Sequence, residues 1–365
     1  MSTSNGLPTL TITFQKAAQT VANRSKKGFV GVFVRDSEAQ GVHQITSVAL
    51  IPSALSVDNQ AYLQRAFEGS SRGGPSKVVA IVIAPGTENT TALEAGLALL
   101  AGQTLDYLAP PPDLTEAEEQ VLVDWVKERR SNYFTEKLVL ANAVTPPDEK
   151  GIINFVETEL DTAKDSFTAG EYTSRIAGIL AGLPQSMSGT YAQLPELTAV
   201  TTRTKQEQIE AINAGKLILM HDGQVAKIAR AVNSLTTIPT GGKEDWSKIK
   251  IVEGMDLITY YLRTTIQNEY LGQYANTYDN KCLLVTAISE YLTYLEGSGV
   301  LNPGESYAEI DTVAQEKWLK ANGVETADMT QQQIKEYQTG AWVFIKCGGR
   351  LLDAMEDFQV EFNNL

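Results

Sequence analysis

The sequence predicts an α/β fold in which a mainly parallel sheet is covered by helices, followed by a helical α+β region and framed by extended strand arms. The first observation is an alternation of apolar runs, such as "GFVGVFV" at 28–34, with segments of helical periodicity. The second is a change of pattern near residue 245, after which long helical segments dominate. The third is period-two alternation near both ends, in "TLTITF" at 9–14 and "DFQVEF" at 357–362, which is typical of strands.

The first half of the chain places strands and helices in turn, as an α/β fold requires. Capping-box pairs mark helix starts at Thr115, Thr168 and Thr204, because a glutamate follows each threonine three residues later. The pair Asp222-Gly223 between two apolar runs predicts a β-hairpin. Apolar runs predict strands, and apolar residues three or four apart predict helices, at these positions: strands at 28–34, 77–84, 105–109, 137–143 and 151–157, and helices at 58–68, 91–102 and 115–130.

Two stretches rich in small residues are interpreted as structural. The glycine-rich segment 68–77 precedes a strand rather than following one, which favours a flexible surface turn over a phosphate-binding loop. In "IAGILAGLP" at 176–184, four small residues at helical spacing favour close packing of a helix on its neighbour over a ligand site.

The second half of the chain begins after a loose boundary at 236–245, where proline and glycine cluster. Apolar spacing predicts long helices at 245–271 and 276–297 and shorter ones at 311–322 and 330–338, before a return to strand over 341–362. The predicted organisation therefore has four parts: an N-terminal arm and connector (1–27), an α/β core (28–240), a helical C-terminal domain (241–346) and a C-terminal strand arm (347–365).

Composition excludes several classes of protein. An apolar content of 43% can fill a core, but the longest apolar run, "VVAIVIAP", is far too short for a membrane span, so we expect no membrane insertion. The net charge of −14 argues against general nucleic-acid binding, which needs a basic surface. Two widely separated cysteines form no disulfide framework, which favours a reducing, intracellular origin.

The charge is distributed unevenly between the two ends. Residues 1–35 contain Lys16, Arg24, Lys26, Lys27 and Arg35 and no acidic residue. Residues 351–365 contain only acidic charges, at Asp353, Glu356, Asp357 and Glu361. The two ends are therefore electrostatic complements, although two separately solvated tails would show the same charge blocks.

Residues suited to catalysis are scarce. A Ser-His-Asp hydrolase needs a histidine base, and only His43, in the polar loop "GVHQITS", and His221, beside the predicted hairpin tip, exist. The sequence contains no GxSxG motif, no zinc-ligand pattern and no glycine-rich phosphate loop. Its acidic residues are dispersed, so the sequence neither supports nor excludes a magnesium site. We therefore expect no catalytic, cofactor-binding or metal-binding residues, and a structural protein rather than an enzyme.

Five separated segments resemble, in order and spacing, the tail sheath proteins of contractile phage tails, and above all the short sheaths of Gram-positive myophages and R-type tailocins. They are "EYTSRIAGILAGLPQSMSGTY" (171–191), "INAGKLILMHDGQVAKIARAVNSLTT" (212–237), "KIKIVEGMDLI" (248–258), "NTYDNKCLL" (276–284) and "LLDAMEDFQVEF" (351–362). The resemblance implies a subunit that forms stacked hexameric rings, and so a helical polymer, around a tail tube and contracts to drive that tube through a bacterial envelope. It also implies a subtilisin-like core without protease activity. The alternative is a soluble, hydrolase-like α/β enzyme.

The same resemblance implies partners and a location. The partners are other copies of the chain, the tail tube protein, and the baseplate and tail terminator proteins, with no cofactor. The particle is a virion tail or a tailocin, assembled in the cytoplasm of the bacterial host. In such sheaths the terminal arms add strands to a sheet in neighbouring subunits, and inner-surface contacts come from the C-terminal part. Carried onto this sequence, the arm strands are Leu10, Thr11, Ile12, Thr13 and Phe14, and Phe358, Gln359, Val360, Glu361 and Phe362, and the candidate tube-facing residues are Lys317, Lys320 and Lys335.

Overall fold

A computed structural model describes residues 28–86, 90–238, 240, 242 and 244–363. The described chain divides after Glu253 into two compact units, the core unit (28–253 with 353–363) and the helical unit (254–352). The sequence placed the boundary earlier, at 236–245. No helix in the described ranges has the length and apolar character needed to span a membrane.

The helices and strands have the following bounds. The strands are β1 (Phe29–Arg35), β2 (Gly41–Ile45), β3 (Lys77–Ile83), β4 (Tyr107–Ala109), β5 (Lys137–Ala141), β6 (Ile152–Phe155), β7 (Leu160–Thr162), β8 (Gln193–Leu194), β9 (Leu197–Val200), β10 (Lys216–Leu217), β11 (Leu219–His221), β12 (Ala226–Ile228), β13 (Tyr307–Ile310) and β14 (Ile345–Gly348). The α-helices are α1 (Val57–Phe67), α2 (Thr90–Leu99), α3 (Glu116–Ser131), α4 (Ala169–Ala181), α5 (Lys205–Asn213), α6 (Ile249–Thr265), α7 (Tyr278–Gly297), α8 (Thr312–Ala321) and α9 (Gln331–Glu336).

The core unit is built on a seven-stranded sheet in the order β10-β6-β5-β4-β1-β3-β2. All neighbouring pairs are parallel except β2 with β3, which is antiparallel at one edge. Successive residues of a strand point to opposite faces, so Val32 lies in an apolar core with α1 and α4, while Phe33 lies in a second core with α2 and α3. Both faces of the sheet are therefore covered, and the predicted mixed α/β fold with a mainly parallel sheet is confirmed.

Local sequence signals explain how these elements begin. The three predicted capping boxes are present at Thr115, Thr168 and Thr204, where the glutamate three residues on bonds back to the threonine amide. The Asp222-Gly223 pair joins β11 and β12, which are antiparallel, as the hairpin signal predicted. Each of these motifs satisfies backbone donors that would otherwise be unpaired at a helix start or a turn.

Helix α4 packs very closely on its neighbours, as its small residues predicted. A Cβ atom added to Gly178 would lie 2.0 Å from the Ala66 carbonyl oxygen of α1, so a larger residue is excluded there. The glycine-rich segment 68–77 meets the end of the same helix, and a Cβ on Gly73 would lie 2.2 Å from the Gly182 carbonyl oxygen. Arg72 also donates to the Thr190 carbonyl oxygen at 3.0 Å. The segment is a turn, but the prediction that it is flexible was wrong, because backbone contacts and Arg72 fix it.

The helical unit combines helices with a small antiparallel sheet, in which β13 pairs with β14. Its apolar cluster joins residues of α6 and α7, and the rings of Tyr261 and Tyr291 stack with their centroids 3.7 Å apart. Helices α8 and α9 are joined by the buried Gln315, whose amide donates to the Ile334 carbonyl oxygen. The four helices predicted for this region are confirmed, with ends shifted by several residues.

One prediction about strands was wrong, and a second is realised only in part. His43 does not lie in a loop, since it belongs to β2, an edge strand that the sequence did not predict. The predicted return to strand over 341–362 is realised only at Ile345–Gly348, and the described residues from 352 to 363 contain no strand. A strand requires a hydrogen-bonded partner, and this segment has none within its own described chain.

Candidate functional site

The two arms predicted to link subunits differ in what can be described. Leu10, Thr11, Ile12, Thr13 and Phe14 lie outside the described residues. The C-terminal segment is described as far as residue 363, and it falls into two parts: a root, 353–357, and a tip, 358–362.

The root is held to the core unit by two basic residues. Arg230 places Nη2 2.7 Å from both carboxylate oxygens of Asp357, and its Nε lies 3.3 Å from Oε2 of Glu356. The Ser188 hydroxyl donates to the other oxygen of Glu356 at 2.7 Å. Lys248 forms an ion pair with Asp353. Three of the four acidic residues at this end of the chain are therefore paired within their own subunit.

The backbone of the core unit brings these two bases together. Arg230 follows the hairpin strand β12, and Lys248 directly precedes α6. An antiparallel bridge between Val232 and Lys248 joins the two segments, and the Ile249 amide donates to the Ala231 carbonyl oxygen at 3.1 Å. The basic pair is thus held together by main-chain bonds that do not involve the root.

The charges of the root and its partners reinforce one another. Hydrogen bonding to Asp357 raises the pKa of Arg230, and the same contact lowers the pKa of the Asp357 carboxyl. For Lys248, partial burial works to lower the pKa, but the bond to Asp353 outweighs it and the pKa is raised. The raised pKa of each base and the lowered pKa of Asp357 keep these three groups charged at neutral pH, so ion pairs hold the root there.

The tip, in contrast, is exposed. Phe358, Val360 and Phe362 are 73%, 84% and 87% exposed, and they alternate with the polar Gln359 and Glu361. Apolar side chains at every second position would form one face of a strand, but this strand lacks a partner in the described chain. Exposed apolar side chains of this size are suited to contact with another protein.

The helical unit contains a sheet with unpaired edges. Within the described residues β13 and β14 pair only with each other, so each leaves one edge free. Tyr307 in β13 and Trp342, just before β14, are both exposed, Trp342 by 61%. An open edge beside exposed aromatic side chains is suited to receiving a strand from another chain.

The chain aligns over nearly its full length with a known sheath protein. The tail sheath protein of Clostridium phage phiCD119 is 34% identical over 360 residues, which cover 97% of this chain and 98% of that protein. This chain belongs to the phage tail sheath protein family. The family model of the phage tail sheath C-terminal domain matches residues 242–363, which include the root and the tip.

Solved sheath structures share the fold of this family member. A sheath tail protein from Listeria innocua has a TM-score of 0.68 at 14% identity, covering 93% of this chain and 99% of its own. One from Desulfitobacterium hafniense has a TM-score of 0.67 at 16% identity, covering 78% and 90%. The helical sheath of the anti-feeding prophage in its contracted state has a TM-score of 0.66 at 16% identity, covering 92% and 93%.

Tail sheath proteins are structural, and the chain is a structural protein rather than an enzyme. The carboxyl ends of parallel strands are where α/β enzymes bind ligands, and here Arg35 fills that position at the end of β1. Its guanidinium bonds Asp113 at 2.8 Å, Glu118 at 2.9 Å and the Gly86 carbonyl oxygen at 2.7 Å. The Arg35 guanidinium thus joins two loops to the first turn of α3.

The two histidines of this sheath protein make only local contacts. The His43 Nε2 atom lies 2.6 Å from the Ala39 carbonyl oxygen, and His221 Nδ1 accepts from the Gly223 amide at 3.1 Å. Among the described side chains, no cluster of three or more histidine, cysteine or acidic residues could hold a metal ion.

The three candidate tube-facing lysines lie on the two short helices of the helical unit. Lys317 and Lys320 are exposed on α8, where Lys320 Nζ lies 2.8 Å from the Glu316 carboxylate, and Lys335 is half-buried on α9. The structure places all three in one unit, in which α8 and α9 pack together.

Sequence reasoning missed the root. The block of acidic residues was interpreted as a possible complement to the basic N-terminal end, whereas three of them bind Arg230 and Lys248 of their own subunit. The only sequence signal was a run of acids that needed a basic partner, and the partner lies more than 100 residues away along the chain.

Proposed function

We propose that this sheath protein polymerises as stacked hexameric rings around a tail tube and contracts to drive the tube through a bacterial envelope. It does so as part of a virion tail or tailocin that is assembled in the host cytoplasm. Its partners are further copies of itself, the tube protein, and the baseplate and tail terminator proteins. The observation that carries the proposal is the C-terminal segment, with an ion-paired root and an exposed, alternating tip.

The tip and its N-terminal counterpart act as linking strands. Phe358, Gln359, Val360, Glu361 and Phe362, together with Leu10, Thr11, Ile12, Thr13 and Phe14, add strands to the β13–β14 sheet of neighbouring subunits. Each main-chain hydrogen bond contributes about 1 kcal/mol net, so a strand with four or five bonds contributes only a few kcal/mol per junction. Repetition over many subunits makes the lattice strong, while each junction stays adjustable.

Contraction uses free energy stored in the lattice. Two sets of subunit interfaces compete, and a trigger at the baseplate allows the more stable set to form ring by ring. The arms keep subunits connected while the compact bodies rotate. A solved relative in a contracted helical state supports this proposal, because its fold covers 92% of this chain.

The proposed domains follow the same division of labour. The α/β core (28–240) is subtilisin-like in fold without its chemistry, and its sheet, parallel except at one edge, supports this likeness. Along the sequence, the N-terminal arm and connector (1–27) come before this core, and the helical domain (241–346) and the C-terminal arm (347–365) follow it.

Tube contact is assigned to the short helices of the helical unit. Lys317, Lys320 and Lys335 face an acidic tube surface, and two exposed lysines and one half-buried lysine on a pair of packed helices are suited to this role. Charge reversal of all three should weaken tube-dependent assembly while sheath polymers still form without the tube. Normal assembly on the tube by the triple variant would remove these lysines from the interface.

The test of the proposal deletes each arm separately. Variants that lack residues 1–14 or 356–365 should keep the circular-dichroism spectrum of the full chain and form no tubular polymers in negative-stain images. Regular contractile tubes from either variant would refute strand exchange, and an unfolded monomer would show that the arms belong to its own core.

A matched variant keeps every residue and changes only the register. One residue inserted between Thr11 and Ile12 moves Ile12 and Phe14 to the opposite face of the strand, because side chains alternate with period two. This insertion should abolish polymers, whereas an insertion between Ser2 and Thr3, before the strand begins, should leave them intact.

A further inference from the structure

A groove runs between α2 and α3 on the outer surface of the core unit. Its volume is about 450 Å³, and its floor is formed by Leu97 of α2 with Val121 and Trp125 of α3. Three carboxylates stand along its rim: Glu94, Asp124 and Glu128. The groove thus combines an apolar floor with a wholly acidic rim.

The rim carboxylates are available to a partner. Within the described residues none of the three lies within ion-pair distance of a basic side chain, and Asp124 accepts only a hydrogen bond from Gln120 at 2.8 Å. Arg129 does approach the Trp125 ring, at 5.2 Å from its centroid, but its charge is paired with Glu136. The rim therefore differs from the root, whose acids Asp353, Glu356 and Asp357 are already neutralised by bases.

The chain itself contains a segment of opposite charge. Residues 1–27 include Lys16, Arg24, Lys26 and Lys27 and no acidic residue. With the acidic root already paired with Arg230 and Lys248, the acidic rim is the surface of opposite charge that these four bases can bind. Residues 15–27 also place Ala17, Ala18, Val21 and Ala22 at a spacing that one apolar face would produce.

The segment ends beside the groove. The Gly28 amide donates to Oδ2 of Asp106 at 2.8 Å, so the chain enters β1 next to the start of β4. In parallel α/β units a helix runs back against its strands, so the C-terminal halves of α2 and α3, which line the groove, lie at this same end of the sheet. Thirteen residues reach about 20 Å as a helix and about 43 Å when extended, and Val121–Glu128 spans only about 10 Å.

We propose that the α2–α3 groove binds residues 15–27 of the same chain, with the lysines and Arg24 on the acidic rim and the small apolar residues on the floor. Attachment at Gly28 makes binding intramolecular, and its high effective concentration favours the segment of the same chain over that of a neighbour. The contact sets the direction in which residues 9–14 leave the subunit. It goes beyond strand exchange and does not depend on it.

The test maps contacts by zero-length cross-linking of lysine to carboxylate in the full chain. A mixture of ¹⁵N-labelled and unlabelled protein is treated with a carbodiimide, digested and analysed by mass spectrometry. The expected cross-links join Lys16, Lys26 or Lys27 to Glu94, Asp124 or Glu128, within chains of one label. Cross-links only between differently labelled chains would assign the groove to a second copy, and their absence at the groove would refute the proposal.

A charge swap provides a second measurement. Reversal of the rim (E94K, D124K, E128K) should speed tryptic cleavage after Lys26 and Lys27 about tenfold, since three exposed ion pairs together account for about that factor. Combining the reversed rim with K16E and R24E, which leave both cleavage sites intact, should restore protection. The matched control E159K with E210K reverses two exposed acids elsewhere on the core unit and should change nothing. Equal cleavage rates in the rim variant and the control would overturn the proposal.

Discussion

The root and the tip of the C-terminal segment are adjacent in sequence and opposite in character. Each charged residue of the root, from Asp353 to Asp357, has a basic partner in its own subunit. Immediately afterwards, Phe358, Val360 and Phe362 present large apolar side chains to solvent. A root that is held by ion pairs thus leads directly into five residues that are largely exposed.

This difference assigns two roles to two parts of the segment: the root fixes where the segment leaves the body, and the tip is available for pairing. Ion pairs at the root are directional and set where the segment leaves the body. The alternating apolar side chains of the tip contribute little stabilisation while they are exposed. Pairing with a sheet edge would bury them and would fix the register of the strand. The subunit holds the start of the arm by ion pairs, and under the proposed strand exchange the end of the arm pairs with a neighbour.

The largest expected effect comes from removing the apolar side chains of the tip. Serine at Phe358, Val360 and Phe362 together should abolish tubular polymers, because a strand without apolar alternation loses burial and register. The melting temperature of the monomer should stay within about 1 °C, since these side chains are largely exposed in the described part of their own subunit. Negative-stain images and thermal unfolding measure the two effects. A fall of several degrees would mean that the tip belongs to its own core.

A smaller effect is expected from releasing the root. Arg230→Glu removes the partner of Glu356 and Asp357 and places a like charge beside them. The segment should then be cleaved several-fold faster by a protease, while polymers still form at higher protein concentration. The double variant Arg230→Asp with Asp357→Arg restores an ion pair and should recover protection. Failure of this swap, with Glu356 left in place, would show that the root is held by something other than charge.

Strong acid should release the root from Arg230. The pKa of Asp357 is lowered by its bond to Arg230, so the contact is complete above about 3.9, the value of a free aspartate, and is lost as the pH falls through the lowered pKa. Protection of the segment should therefore be constant from pH 7 to pH 5 and disappear only in strong acid. Pepsin cleavage between pH 4 and pH 2 measures this loss. Asp357→Asn should be susceptible to pepsin already at pH 4.

The smallest effect is expected from the histidines. His43→Gln and His221→Gln together should leave assembly and contraction unchanged between pH 5 and pH 8, since both rings make only local backbone contacts. Loss of a measured hydrolytic activity in this double variant would contradict the structural role of the protein.

Sequence patterns predicted the elements whose signal is local. The capping boxes at Thr115, Thr168 and Thr204 and the Asp222-Gly223 hairpin are each contained in four to six residues, and the structure has all of them. The apolar runs of β1 and β3 are buried on both faces, which produces the continuous hydrophobic stretch that identifies an inner parallel strand.

The missed features depend on contacts between distant residues. Strand β2 is polar and lies at an edge, so "GVHQI" lacks the apolar run of an inner strand and His43 was placed in a loop. The root was missed because Arg230 and Asp357 are 127 positions apart, and a charge carries no information on which opposite charge it meets. The small residues of α4 correctly predicted close packing of this helix on its neighbour, since only small residues fit at such a contact.

Under the proposed strand exchange, the exposed tip makes the two ends of a sheath unlike. When every subunit gives strands in one direction and receives them from the other, one end of the polymer displays tips without acceptors and the other displays empty sheet edges. Each end then needs a closing protein of its own chemistry, one offering an edge and the other offering a strand. A subunit with a polar tip could then still receive strands and give its N-terminal strand, but it could not give its C-terminal strand. A small fraction of such subunits would therefore leave missing junctions in the sheaths of a cell that also makes the normal protein.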